Sequence, residues 1–127
     1  MQSVVVIDYG VANLKNIVRG LEYVGASVYS SSNHQSVKKA SRVVLPGVGS
    51  FGSGMKELTK IGLDDAVKDA AESGKPILGI CLGMQMLLEL SLEHGQHKGL
   101  GLIEGTVIPI PIEMEKGGKR KIPHVGW

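Results

Sequence analysis

One stretch of this 127-residue chain joins a nucleophile to a backbone able to use it: Gly79-Ile80-Cys81-Leu82-Gly83. A thiol becomes a strong nucleophile once it loses its proton. The G-x-C-x-G spacing is the thiol counterpart of the nucleophile elbow, a sharp strand-to-helix turn that lifts the reactive atom clear of a sheet. Gly79 and Gly83 remove side chains where strand and helix would collide. The turn leaves the Leu82 amide at a helix start, where it could hold an oxyanion. A plainer role is also open, because a lone cysteine behind an apolar strand often serves as a small core residue.

A second stretch, Pro46-Gly47-Val48-Gly49, follows another apolar run. Its two glycines let the backbone approach a ligand or turn a peptide, so Val48 or Gly49 could offer a second oxyanion amide. An ordinary Pro-Gly turn would look the same. A cysteine nucleophile also needs a base, and the chain holds His34, His94, His97 and His124. His34 reads as a surface residue. His94 and His97 flank Gly95-Gln96 in a loop, where their spacing makes a poor metal site. None of the four has the setting of a catalytic base.

These residues must be placed by regular elements, and the hydrophobic pattern supplies them. Residues 3–7 form a continuous β-branched run, as in a strand buried on both faces. Asn13 is placed to cap a helix to about Val24, with Leu14, Ile17, Val18, Leu21 and Val24 on one face and Gly25 closing it. Further strands are expected at 26–30, 42–45, 77–80 and 105–110, and helices at 33–40, 50–60, 63–73 and 82–92. The last helix is apolar nearly all round, so it should be largely buried. Residues 95–101 read as a loop. Strands alternating with helices argue for an open, mostly parallel sheet with helices on both faces.

Composition bounds the function. The chain is 43% hydrophobic and 4% aromatic with 18 glycines, as in one domain packed with aliphatic side chains. Fourteen basic residues stand against twelve acidic ones, and the excess falls within 113–121, which reads as a solvated loop. No broad basic face with interleaved aromatics suggests nucleic acid. No apolar run approaches the ~20 residues of a membrane span, and no basic region precedes the first strand as in a secretory signal. The single cysteine excludes an intrachain disulfide and a cysteine-based zinc site. It fits a reducing, cytoplasmic setting.

The segment from Gly79 to Gln85 resembles the nucleophile motif of the class I (triad) glutamine amidotransferases. Three further stretches extend the resemblance along the chain: Ile7-Asp8-Tyr9-Gly10 with Asn13-Leu14; Leu45-Pro46-Gly47-Val48-Gly49 with Phe51-Gly52; and Pro123-His124-Val125-Gly126-Trp127. They are similar to the family's glutaminases that serve histidine biosynthesis. The resemblance implies a flavodoxin- or Rossmann-like fold and no cofactor or metal. It implies that Cys81 attacks the glutamine side-chain amide, releasing ammonia and leaving a glutamyl thioester for water to hydrolyse. The amides of Leu82 and of Val48 or Gly49 would hold the oxyanion. Gly52, Gln85 and Glu93 would bind glutamine, Glu93 at the α-amino group from the far end of the helix that carries Gln85. Ammonia would pass to a partner cyclase subunit, a (β/α)8 barrel that makes imidazole glycerol phosphate and AICAR, with Asn13 and Trp127 near the interface.

The family takes its catalytic histidine and glutamate from a His-Pro-Glu motif, and none occurs in this sequence. The resemblance therefore implies one glutamine amidotransferase domain over residues 1–127, incomplete at its C-terminus, with little turnover alone. An uncovered sheet edge would favour self-association. Two other readings compete: a non-catalytic binding module of the same fold, and a DJ-1-like cysteine-elbow protein.

Overall fold

The computed structural model describes residues 2–10 and 13–111. Its centre is a four-stranded parallel sheet in the order β2-β1-β3-β4, formed by β1 (Ser3–Ile7), β2 (Ser27–Ser31), β3 (Arg42–Leu45) and β4 (Ile77–Gly79). The β-branched run of β1 takes a central position and is buried on both faces. Val5 and Ile7 join the larger core, and Val4 and Val6 the smaller one. Fully burying such a side chain contributes about 1.5–3 kcal/mol.

Helix α1 (Leu14–Tyr23) covers the Val4–Val6 face through Leu14, Ile17, Val18 and Leu21. The opposite face is covered by α2 (His34–Lys39), α3 (Phe51–Lys60), α4 (Leu63–Glu72) and α5 (Leu82–Met86). This division follows from strand order. The chain moves from β1 to β2 on one side, then back past β1 to β3, and right-handed crossovers in opposite directions place their helices on opposite faces. Gly25 closes α1 at φ +91°, its amide donating to Glu22 O and that of Ala26 to Leu21 O. Asn13 precedes the helix without a side-chain capping bond, and Val24 is exposed. Asn33 does cap α2, its Oδ1 accepting from the amides of Gln35 and Ser36.

The second half departs from the expected pattern. The helix expected over 82–92 ends at Met86, and Leu88–Ser91 is a strand, β5. It pairs antiparallel with β6 (His97–Lys98), inside the expected loop, and parallel with β7 (Ile103–Val107), two residues ahead of the expected fifth strand. The carbonyls of Met86, Leu87 and Leu88, which a longer helix would offer to its next turn, instead accept the amides of Leu100, Leu102, Ile103 and Gly101. Leu88, Leu90 and Leu92 alternate with Glu89 and Ser91, a period of two that the crowded leucines concealed. Burial is correspondingly uneven: Leu82 and Met86 are buried, while Met84 and Leu92 are about half exposed.

Candidate active site

In a parallel sheet, ligands bind beyond the carboxyl ends of the strands, where strand order reverses. The reversal here lies between β1 and β3. Tyr9 follows β1, Pro46–Gly49 follows β3, and Cys81 follows neighbouring β4. Three sequence-distant segments therefore meet at one sheet edge because of topology alone.

Cys81 has φ 55° and ψ −118°, a region that non-glycine residues rarely adopt. Such strain costs about 1–3 kcal/mol and persists only where surrounding contacts enforce it. Those contacts are visible at the flanking glycines. A Cβ on Gly83 would lie 1.8 Å from Leu45 O, and one on Gly79 would lie 2.6 Å from Met84 Cα. Strand β3, the elbow and α5 thus pack backbone to backbone, and the Cys81 thiol is left exposed.

Opposite the elbow lies the Pro46–Gly49 loop. The Leu82 amide donates to Gly47 O at 3.2 Å. Because C=O and N–H of a trans peptide point in opposite directions, the Val48 amide is turned away from Leu82. The Leu82 and Val48 amides therefore do not converge in this conformation. Gly49 sits at φ +96° with open space around its Cα, and Val48 is exposed. Tyr9 anchors the loop from below: its ring is buried and its hydroxyl donates to Pro46 O at 2.6 Å. Burial and the nearby Cys81 charge push the Tyr9 hydroxyl up to about 12, so it stays a proton donor across the ordinary pH range.

Gly52 and Glu93 line one cleft of about 410 Å³, together with Ser50, Ser53, Lys56, His94 and His97. Neither Cys81 nor Gln85 is part of that lining. Gln85 is half-buried one turn beyond Cys81, its amide donating to Cys81 O at 3.2 Å. Glu93 does not stand at the end of a helix, as expected, but just past strand β5. There the buried Ser91 hydroxyl accepts the Glu93 amide at 3.2 Å, and Leu92 N donates to Val107 O. His97 Nε2 donates to His94 O at 2.9 Å. Its Nδ1 lies 2.8 Å from where a Cβ on Gly52 would sit. His34 lies at the surface, 3.4 Å from Asp69. Asn13 is exposed, whereas His124 and Trp127 lie outside the described residues.

Three residues at this edge escaped sequence reasoning as site components: Tyr9, Lys56 and His97. Tyr9 belongs to the Ile7-Asp8-Tyr9-Gly10 stretch, which carries the resemblance and no chemistry of its own. His97 lies in a stretch whose pattern reads as a loop, and only its pairing in β6 carries it to Gly52. Lys56 sits one helical turn beyond Gly52, a spacing visible in the sequence, but nothing marked its direction.

No helix among the described residues is long and apolar enough to cross a membrane, and among them no group of three or more His, Cys, Asp or Glu is arranged to hold a metal. The chain is 51% identical over 127 residues to imidazole glycerol phosphate synthase subunit HisH 1 of Legionella pneumophila (strain Lens), covering all of this chain and 60% of that relative. It is 47% identical over 124 residues to subunit HisH of Aquifex aeolicus (strain VF5), covering 97% of this chain and 57% of the relative. The chain thus spans about 60% of the length of the curated relatives it matches. A crystal structure of a glutamine amidotransferase superposes with a TM-score of 0.69 at 19% identity, over 82% of this chain and 55% of that one, a likeness of fold. Residues 5–126 match the family Glutamine amidotransferase class-I, and the chain belongs to that family.

Proposed function

We propose that this chain carries the nucleophile and part of the glutamine site of a glutaminase that supplies ammonia to the cyclase subunit of imidazole glycerol phosphate synthase. In this reading Cys81 Sγ attacks the side-chain carbonyl carbon of glutamine, and the carbonyl oxygen becomes an oxyanion. Collapse breaks the C–N bond, ammonia leaves carrying the proton the thiol gave up, and a glutamyl thioester remains. Water then cleaves the thioester to glutamate and restores the thiol. Ammonia is consumed by the cyclase as it closes an imidazole ring, yielding imidazole glycerol phosphate and AICAR.

The observation that carries this reading is the strained Cys81 turn facing a loop rich in glycine across the Leu82–Gly47 hydrogen bond. Rotating the Gly47–Val48 peptide would break that bond, free the Leu82 amide and aim the Val48 amide at the same point. Preorganised amides of this kind stabilise an oxyanion strongly, and losing one typically costs about 10²–10³ in rate. The Gly52–Glu93 cleft supports an amino-acid ligand, with Glu93 for an α-ammonium and Lys56 of opposite charge on the same wall. Gln85, one turn from Cys81, would hold the side of the substrate nearest the reacting carbon. Asn13 is exposed shortly after β1, on the edge where a partner would receive ammonia.

The chain contains no His-Pro-Glu, and neither His34 nor Asp69, which meet between α2 and α4, lines the cleft. Cys81 is therefore expected to react with glutamine-like electrophiles while turnover by these 127 residues alone is very slow, because loss of a triad member costs orders of magnitude. Protection of the thiol tests the assignment. Glutamine should slow alkylation of Cys81 by chloroacetamide, and asparagine, one methylene shorter, should not. Alkylation indifferent to glutamine would contradict it.

A further inference from the structure

We propose that Tyr9 is a positioning residue for the oxyanion loop: its buried hydroxyl pins the Pro46 carbonyl, so that rotation of the loop starts at the next peptide, Gly47–Val48. This rests on the glutaminase reading above and assigns a role that reading leaves open. The Pro46 ring fixes φ at that residue. Its ψ sets the direction of the Pro46 carbonyl, and that carbonyl is held by Tyr9 Oη at 2.6 Å. Both soft dihedrals upstream of Gly47 are thereby fixed.

Downstream the restraint disappears. Gly49 lies at φ +96° with nothing near its Cα, and Val48 is exposed. The first peptide free to rotate is thus the one whose carbonyl now accepts from Leu82. A Cβ at Gly47 would meet Tyr9 Oη at 2.5 Å, so the phenol oxygen lies against the pivot itself as well as bonding the carbonyl before it. A tyrosine present only to fill the core needs some partner for its hydroxyl. Here that partner is the carbonyl whose fixation gives the Gly-Val-Gly loop one fixed end. A hinge with one fixed end brings the Val48 amide back to the same place at each rotation, and misplacement by about 1 Å can cost about 10²-fold in rate.

The test compares two alkylating agents on the full chain. A chloromethyl ketone analogue of glutamine needs the amino-acid site and places its carbonyl oxygen at the oxyanion position. Chloroacetamide needs only an accessible thiolate. In both reactions Cys81 sulfur bonds the chloromethyl carbon and chloride leaves. Tyr9→Phe keeps the ring and removes the hydroxyl. The ratio of chloromethyl ketone to chloroacetamide rates should fall about tenfold relative to the unsubstituted chain, with the chloroacetamide rate and helical ellipticity unchanged. An unchanged or raised ratio would overturn the proposal, because a hydroxyl that only stabilises the fold does not separate the two reagents. Should Tyr9→Phe fail to fold, Pro46→Ala releases the other half of the pin, and the same fall or its absence decides. An unsubstituted chain with no preference over its urea-unfolded form would instead sink the glutaminase reading itself.

Discussion

The Leu82 amide and the Gly47 carbonyl are hydrogen-bonded at 3.2 Å across the gap between the Cys81 turn and the loop after β3. That approach depends on Gly83, which lets α5 start against strand β3. A Cβ there would overlap Leu45 O at 1.8 Å, a backbone atom with nowhere to go. Gly83→Ala should therefore cost about 3 kcal/mol or more of stability, at the upper end of overpacking effects. The midpoint of urea unfolding checks this, and an unchanged midpoint would show that the junction is looser than described.

Gly52 separates binding from stability. It lies in the first turn of α3 with the His97 ring against its Cα, and an added methyl would fall 2.7 Å from His97 Cε1. The ring is an end group and can swing away, while alanine favours the helix by about 1 kcal/mol. Gly52→Ala should leave the melting temperature equal or raised and weaken glutamine protection of Cys81. Equal protection in the variant would remove Gly52 and His97 from the glutamine site.

Tyr9 gives stability an alkaline limit. Its hydroxyl, ordinarily near 10, is pushed up to about 12 by burial and then by the Cys81 charge. Below pH 10 both folded and unfolded chains keep the proton. Between pH 10 and 12 the unfolded chain releases it first, so the native state loses stability across that window. Urea midpoints measured from pH 9 to 12 should fall more steeply for the unsubstituted chain than for Tyr9→Phe. Parallel profiles would show that Tyr9 ionises as freely folded as unfolded.

Strand β4 is an edge of the four-stranded sheet among the described residues, and Leu78 on it is 52% exposed. An apolar edge with unpaired backbone groups invites a second strand. Sedimentation velocity should show association that grows with concentration and is reduced by Leu78→Lys. A monomer at all concentrations would exclude pairing through this edge.

The parts of the molecule legible in the sequence were those specified locally. The β-branched run of β1, the Gly25 stop and the G-x-C-x-G turn each reveal themselves within a few residues. Two results depended on distant partners. Residues 88–91 carry enough leucine to continue a helix, and they become a strand because residues 100–103 take the carbonyls the helix would need. The same pairing carries His97 to Gly52 and moves Glu93 from a helix end to a strand end. Tyr9 was similarly hidden: its partner is Pro46, 37 residues away, and only the β1–β3 pairing brings them together. The Leu82–Gly47 bond could not be read from types and spacing, because a Gly-Val peptide has two orientations and sequence favours neither.

If Cys81 is a nucleophile directed at glutamine, a chloromethyl ketone analogue of glutamine should mark it. Intact-protein mass spectrometry after incubation with that analogue, followed by mapping of the modified peptide, measures this. One adduct is expected, on Cys81, formed more slowly when free glutamine is present and absent in Cys81→Ser. Modification elsewhere, or a Cys81 adduct whose rate ignores glutamine, would contradict it.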